Sequence, residues 1–207
     1  MINYICIEGN IGAGKSSIAQ RLAADLQGHF LPEEFEENPL LPLFYKDPVQ
    51  FAFPLEFSFL LDRFRQQKNW EERLVNTTVV SDYYFEKCLY FAELNLNAPD
   101  YSVFRDKFLA LQSQIVQPQL LVFIKTGVNE LKHNIKKRGR VYEQQLEDSY
   151  LSKLNERYEQ AASEMRPFRV ITFCLQTNEQ EKYDRLFHEL KSYIHQPPAA
   201  NAIEIFL

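Results

Sequence analysis

Residues 9–16 read Gly9-Asn10-Ile11-Gly12-Ala13-Gly14-Lys15-Ser16, a full match to G-x-x-x-x-G-K-S/T. These residue types at this spacing suit a polyphosphate. Glycines let the backbone curl until successive N–H groups point inward at phosphate oxygens. The helix expected to begin near Lys15 adds partial positive charge at its N-terminus. Lys15 is then placed for the β- and γ-phosphates and the Ser16 hydroxyl for Mg²⁺, with Ser17 in the same binding segment. The expected ligands are ATP, as the nucleoside triphosphate, and Mg²⁺.

A phosphate loop names a ligand and not a reaction, so the acceptor must be read from other residues. Ligands of open α/β sheets sit beyond the carboxyl ends of strands. Three carboxylates fall there: Glu8, Glu33 and Asp82. Glu8 runs into the glycine turn and reads as structural. Glu33 and Asp82 are better candidates for activating an acceptor and ordering metal-bound water. Arg138 and Arg140 straddle Gly139 at the end of a basic run containing Lys132, Lys136 and Lys137. Such a segment can close over transferring phosphates as an arginine lid. Residues 44–64 hold Phe44, Tyr45, Phe51, Phe53, Phe57, Phe59 and Phe64, with Glu56 and Arg63 seven positions apart on one helix face. Rings beside one carboxylate and one guanidinium can sandwich a base and read its edge. The bland alternative is a core helix with a surface ion pair.

The elements that must carry these groups follow from periodicity. Residues 3–8 predict a short buried strand, and a helix follows from about Lys15 to Leu26 with Ile18, Leu22 and Leu26 on its core face. Further strands are expected at Phe30–Leu31, 78–81, 120–124 and 169–173. Helical patterns fall near 50–68, 83–95, 101–116, 129–138, 147–164 and 178–193. Strands alternating with helices imply an α/β fold with a mostly parallel sheet covered on both faces. The 207 residues suit one domain, read as 1–195, with a tail at 196–207 that is either a disordered end or a docking strand. A net charge of −5 argues against a nucleic-acid polymer as partner. No apolar run approaches the roughly 18 residues of a membrane span, and no leader is visible, so a cytoplasmic location without membrane partners is expected. Cys6, Cys88 and Cys174 lack metal-ligand spacing and read as small buried residues of a reducing compartment.

Several motifs in order resemble the deoxynucleoside kinases, their bacterial members most closely. Glu8 to Ser16 is similar to the family's E-G-N-I-G-x-G-K-S/T. Glu36-Glu37-Asn38-Pro39-Leu40 and Phe44-Tyr45-Lys46-Asp47-Pro48 resemble the segment after its second strand. Phe51-Ala52-Phe53-Pro54-Leu55 resembles the start of its base-reading helix, and Lys137-Arg138-Gly139-Arg140 its lid. The resemblance spans about residues 3–160. It implies a P-loop NTPase-type fold with a five-stranded parallel sheet and helices on both faces, often paired as a homodimer. It further implies ATP-dependent phosphorylation of a deoxynucleoside 5′-hydroxyl. Glu33 would be the general base, Tyr45 and Glu143 would hold the 3′-hydroxyl, and Arg63 would sit near the base edge and the catalytic carboxylate. Phe53 and Glu56 fall in the nucleoside-binding segment, and Arg138 and Arg140 would clamp the phosphates.

Three departures stand out. Glu33-Glu34 replaces the family's Glu-Pro, Glu56 replaces a base-reading Gln, and Asp82-Tyr83-Tyr84 replaces Asp-Arg-Ser or Glu-Arg-Ser. Lys87, about one turn beyond Tyr83, is the candidate to supply the missing charge. Two rival readings remain at this stage. A nucleoside-monophosphate kinase is disfavoured by the acidity of the 33–62 segment, and a nucleotide-binding protein impaired in catalysis is raised by Tyr83 and Glu56.

Overall fold

The computed structural model describes residues 2–175, 180–196 and 200–207. Its centre is β1 (Tyr4–Gly9), buried along its whole length. Successive side chains leave opposite faces of a strand. Ile5 and Ile7 accordingly enter one core with Ile18 and Leu22, while Tyr4 and Cys6 enter another with Leu154 and Tyr158. A strand buried on both faces reads as a continuous apolar run, which is how residues 3–8 and 120–124 read in the sequence.

The remaining strands are β2 (His29–Leu31), β3 (Val79–Ser81), β4 (Leu120–Thr126), β5 (Arg169–Leu175) and β6 (Ala202–Phe206). Their order is β2-β3-β1-β4-β5-β6, and every pairing is parallel. Among the described residues the sheet thus has six strands, where the family resemblance implied five. The sixth comes from the tail, whose Ala202–Phe206 pairs with β5. Its alternating Ile203-Glu204-Ile205 is the period-2 pattern of an edge strand with one face turned inward.

Helices α1 (Lys15–Asp25), α2 (Leu41–Lys46), α3 (Pro48–Asn76), α4 (Lys87–Asn95), α5 (Ala98–Gln112), α6 (Val128–Arg138), α7 (Asp148–Ser163) and α8 (Gln180–His195) connect or flank the strands. The expected start of the last helix at 178 lies outside the described residues. Helix α3 begins where the Asp47 carboxylate accepts from Gln50 N–H at 3.1 Å. It runs eight residues beyond the expected end at 68. Leu74 is buried there and Lys68 pairs with Glu71, so a polar-looking turn still has a reason to stay helical. Helix α4 starts later than its pattern suggested. Ser81 Oγ donates to Tyr83 O at 2.7 Å and Tyr84 N–H to Glu8 at 2.8 Å, and these bonds hold 82–86 out of the helix. Helix α5 starts earlier, because Asn97 caps it by accepting from Asp100 N–H.

Candidate active site

The glycine turn follows β1. Gly12 and Gly14 lie at φ +85° and +83°, and a Cβ on Gly12 would come within 2.7 Å of the Leu131 carbonyl oxygen. Only glycine fits that position without shifting α6. The Asn10 side chain anchors the turn to α7, donating to Leu151 O at 2.9 Å and Asn155 Oδ1 at 2.7 Å. Ile11 N–H goes to Asn10 Oδ1 and Ala13 N–H to Asn10 O. The main-chain donors of Ile11 and Ala13 thus bond within the turn in this structure. The first turn of α1 carries Lys15, Ser16 and Ser17, where N–H groups lack intrahelical acceptors. Lys15 Nζ reaches Gly9 O at 2.8 Å and Asn10 O at 3.0 Å, and burial, with Lys87 nearby, lowers its pKa to about 8.

Three strand ends meet beside this turn. Asp82, just past β3, accepts Ser16 Oγ on one oxygen and Glu33 N–H at 2.7 Å on the other. Ser16 and Asp82 offer hard oxygens, and Mg²⁺ needs only one or two of these beside phosphates and water. The donor set fits that ion, and among the described residues no group of three His, Cys, Asp or Glu forms a closed cage. Glu8 is fully buried and accepts from Gly9 N–H, Tyr84 N–H and Tyr158 Oη, which is the structural role expected of it.

Glu33 is held on both carboxylate oxygens. Gln66 of α3 holds the preceding Pro32 carbonyl at 2.7 Å. Arg63 grips one carboxylate oxygen with Nη2 at 2.6 Å and Nε at 3.1 Å, and Lys87 takes the other at 2.7 Å. The Glu33 side chain is only 6% exposed. Burial alone would raise its pKa, but Lys87, Arg63 and Lys15 outweigh burial and hold it near 2. Glu34 is exposed, whereas Glu33 lines the cavity described below.

Lys87 stands where the sequence left a missing charge to be supplied, whereas Tyr83 is fully buried in the core. Cys88 is buried as expected but not merely apolar, for its sulfur receives Arg63 Nη1 at 3.3 Å.

A cavity opens from Glu33 between α2, α3, α4 and the lid. Tyr45, Glu56, Arg63, Arg138, Arg140 and Glu143 all line it, together with Lys15 and Ser16. Tyr45 stacks on Tyr142 with ring centroids 5.6 Å apart. Phe53 does not line the cavity. It packs on Phe57, which meets Phe104 of α5. Phe59, Phe91 and Tyr150 supply the rings instead. Glu56 does not pair with Arg63. It accepts from Asn95 at 2.7 Å, and burial raises its pKa to about 7. Asn95, Tyr150 and Phe91 carried no sequence signal that would have singled them out.

The segment that carries the two arginines is tied down by carboxylates. Arg138 and Arg140 both donate to buried Glu143, and Arg140 also reaches Glu36 and lies over the Phe35 ring. A second cavity, lined by Gly12, Gly14 and Ser17, lies on the outer side of the glycine turn. It shares Lys15, Ser16, Arg138 and Arg140 with the first.

Comparison with known proteins agrees with this geometry. The family model described as "Deoxynucleoside kinase" matches residues 5–195. A deoxyguanosine kinase of Bacillus subtilis is 32% identical over 165 residues, covering 79% of this chain and 80% of that one. A deoxyadenosine/deoxycytidine kinase of the same organism is 24% identical over 203 residues, covering 93% and 94%. A solved structure of deoxyadenosine kinase from M. mycoides with bound dCTP superposes with a TM-score of 0.76 at 24% identity, covering 91% of this chain and 98% of that one, and so supports the fold. The chain belongs to the deoxynucleoside kinase family, and its activity is that of a deoxynucleoside kinase in nucleotide salvage.

Proposed function

We propose that the chain transfers the γ-phosphoryl group of ATP to the 5′-hydroxyl of a deoxynucleoside. The observation that carries this reading is the shared wall of the two cavities. A polyphosphate on the glycine turn and a nucleoside among the rings would meet at Lys15, Ser16, Arg138 and Arg140, with Glu33 lining the nucleoside side.

In this reading Glu33 orients the 5′-hydroxyl and takes its proton. A carboxylate held near 2 is a weak base. Phosphoryl transfer through a loose transition state asks more for positioning and charge stabilisation than for early proton removal. Arg63 and Lys87 fix the carboxylate, and Lys87 stands in for the arginine that Tyr83 replaces. Tyr45 and Glu143 hold the sugar 3′-hydroxyl. Arg138 and Arg140 meet the charge spread over the transferred group. Ser16 and Asp82 would hold Mg²⁺, which when bound neutralises phosphate charge. Lid closure excludes water that would otherwise consume ATP. Work in the cytoplasm as a homodimer belongs to the same reading. No helix of the described residues is long and apolar enough to cross a membrane.

The test is a panel of deoxynucleosides and their 5′-monophosphates incubated with ATP and Mg²⁺. Phosphorylation of deoxynucleosides alone is the expected result. Preference for monophosphates would favour the rival acceptor class, and ATP binding without any turnover would favour an impaired enzyme.

A further inference from the structure

Glu56 is 1% exposed and lines the ring-walled cavity from α3. Its Oε1 accepts from Asn95 Nδ2 at 2.7 Å, whereas its Oε2 is buried without a hydrogen-bond partner. The cation nearest in sequence on that face is committed elsewhere. Arg63 spends Nε and Nη2 on Glu33 and Nη1 on Cys88. Buried polar atoms are hydrogen-bonded as a rule, and an unpaired one in a ligand cavity calls for a donor brought by the ligand.

The donor must suit a carboxylate, which when ionised only accepts. Among the four DNA bases, guanine alone presents two adjacent donors on its pairing edge, the ring N1–H and the exocyclic amino group. Adenine and cytosine offer one donor beside a ring-nitrogen lone pair, which a carboxylate would repel. Thymine offers a single N–H between two carbonyl oxygens. An amide at this position could serve adenine or cytosine, with one donor and one acceptor. Glu56 cannot do so while ionised.

We propose that Glu56 is the specificity-determining residue of this kinase and that it selects 2-amino-6-oxopurines, so that deoxyguanosine is the preferred acceptor. The inference rests on the kinase reading of the same cavity. Glu56 accepts the guanine N1–H and amino donors, and Asn95 holds the carboxylate in place through Oε1.

The choice depends on pH. The groups that face Glu56 are Arg63 on its own helix, Lys87, Cys88 and Asn95 on α4, Tyr45 on α2 and Tyr150 on α7. Burial raises the carboxyl pKa to about 7, against the pull of Asn95, Arg63 and Lys87. Below that pH the neutral carboxyl carries one donor and one acceptor, like an amide. Discrimination in favour of guanine therefore strengthens as pH rises through 7.

The experiment measures kcat/KM for deoxyguanosine, deoxyinosine, deoxyadenosine and deoxycytidine at pH 6 and pH 8, with wild type and Glu56→Gln. At pH 8 wild type is expected to favour deoxyguanosine about 10- to 100-fold, the range of one good bidentate contact. Deoxyinosine, which lacks the 2-amino group, loses a large part of that advantage. Glu56→Gln reduces deoxyguanosine use through KM, improves deoxyadenosine use, and abolishes the change of preference between pH 6 and pH 8. The wild-type pH and deoxyinosine comparisons need no variant, so poor folding of Glu56→Gln leaves the test intact. Wild type that favours adenine, cytosine or thymine at pH 8, or phosphorylates all bases alike, overturns this inference and leaves the kinase reading standing. A protein inert toward every deoxynucleoside overturns both.

Discussion

The glycine turn and the ring-lined cavity lie side by side and are built in opposite ways. The turn comes from one continuous stretch, Gly9 to Ser16, whose work is done by main chain and a single lysine. The cavity draws on the loop after β2, on α2, α3, α4 and α7, and on the lid. A site made from backbone needs particular residues at particular spacing, so it is conspicuous in sequence. A site made from side chains of separate elements needs only that those elements pack in one way. The two halves also differ in charge. The turn is cationic, whereas the cavity balances two cations on Glu33 and keeps a second carboxylate, Glu56, apart from them.

The contrast is sharpest at Lys15. Lys15→Met should lower kcat/KM for ATP by on the order of 10³, the upper range for losing a single electrostatic stabiliser, while deoxynucleoside binding is nearly unchanged. Separate calorimetric titrations of the two ligands check this. If both affinities collapsed together, the two halves would not be independent.

Lys87→Met comes next, with an expected loss in kcat of about 10- to 100-fold. It also carries a pH signature. The folded-state pKa of Glu33 lies near 2, below its ordinary 4.5, so its contribution to stability is fully present above pH 4.5 and is lost as pH falls toward 2. That contribution is on the order of 3 kcal/mol. Without Lys87 the Glu33 pKa rises, and acid unfolding should begin at higher pH. Melting temperatures measured from pH 3 to pH 7 check this, and an unchanged acid limb would show that Lys87 does not hold Glu33.

The smallest effect belongs to the outer lid contact. Glu36→Ala removes one partner of Arg140, and Glu36 is 61% exposed. Exposed ion pairs contribute about 0–1 kcal/mol. Stability should change by less than about 0.5 kcal/mol and kcat by less than about twofold, because Glu143 still holds Arg140. A large loss would make Glu36 part of the closing mechanism.

What could be read from sequence follows the same division. The strands beside the site, Glu33, Asp82 and the lid arginines were legible because each sits at a strand end or in a short motif. Lys87 was legible only as a replacement for something missing. Phe53 misled because the 44–64 segment is rich in rings and only helical phase sorts them. Ala52, Glu56, Phe59 and Arg63 form one stripe of α3, while Phe53, Phe57, Leu60 and Phe64 form another, roughly 90° around the helix. The second stripe faces Phe104 of α5. Asn95 and Cys88 were not legible, since their neighbours are set by how α4 packs on α3. The sixth strand showed its alternation, but an edge strand of five residues after Pro197-Pro198 does not declare its partner.

The most direct test of the account is Glu33→Gln, assayed by transfer of labelled γ-phosphate from ATP to deoxynucleoside, with ATP affinity measured alongside as proof of a folded protein. Turnover should fall by about 10²- to 10⁴-fold, the range for losing a positioned general base, while ATP still binds. Full turnover with ATP binding intact would contradict the placement of the acceptor hydroxyl at Glu33, and with it the meeting of the two cavities as the site of transfer.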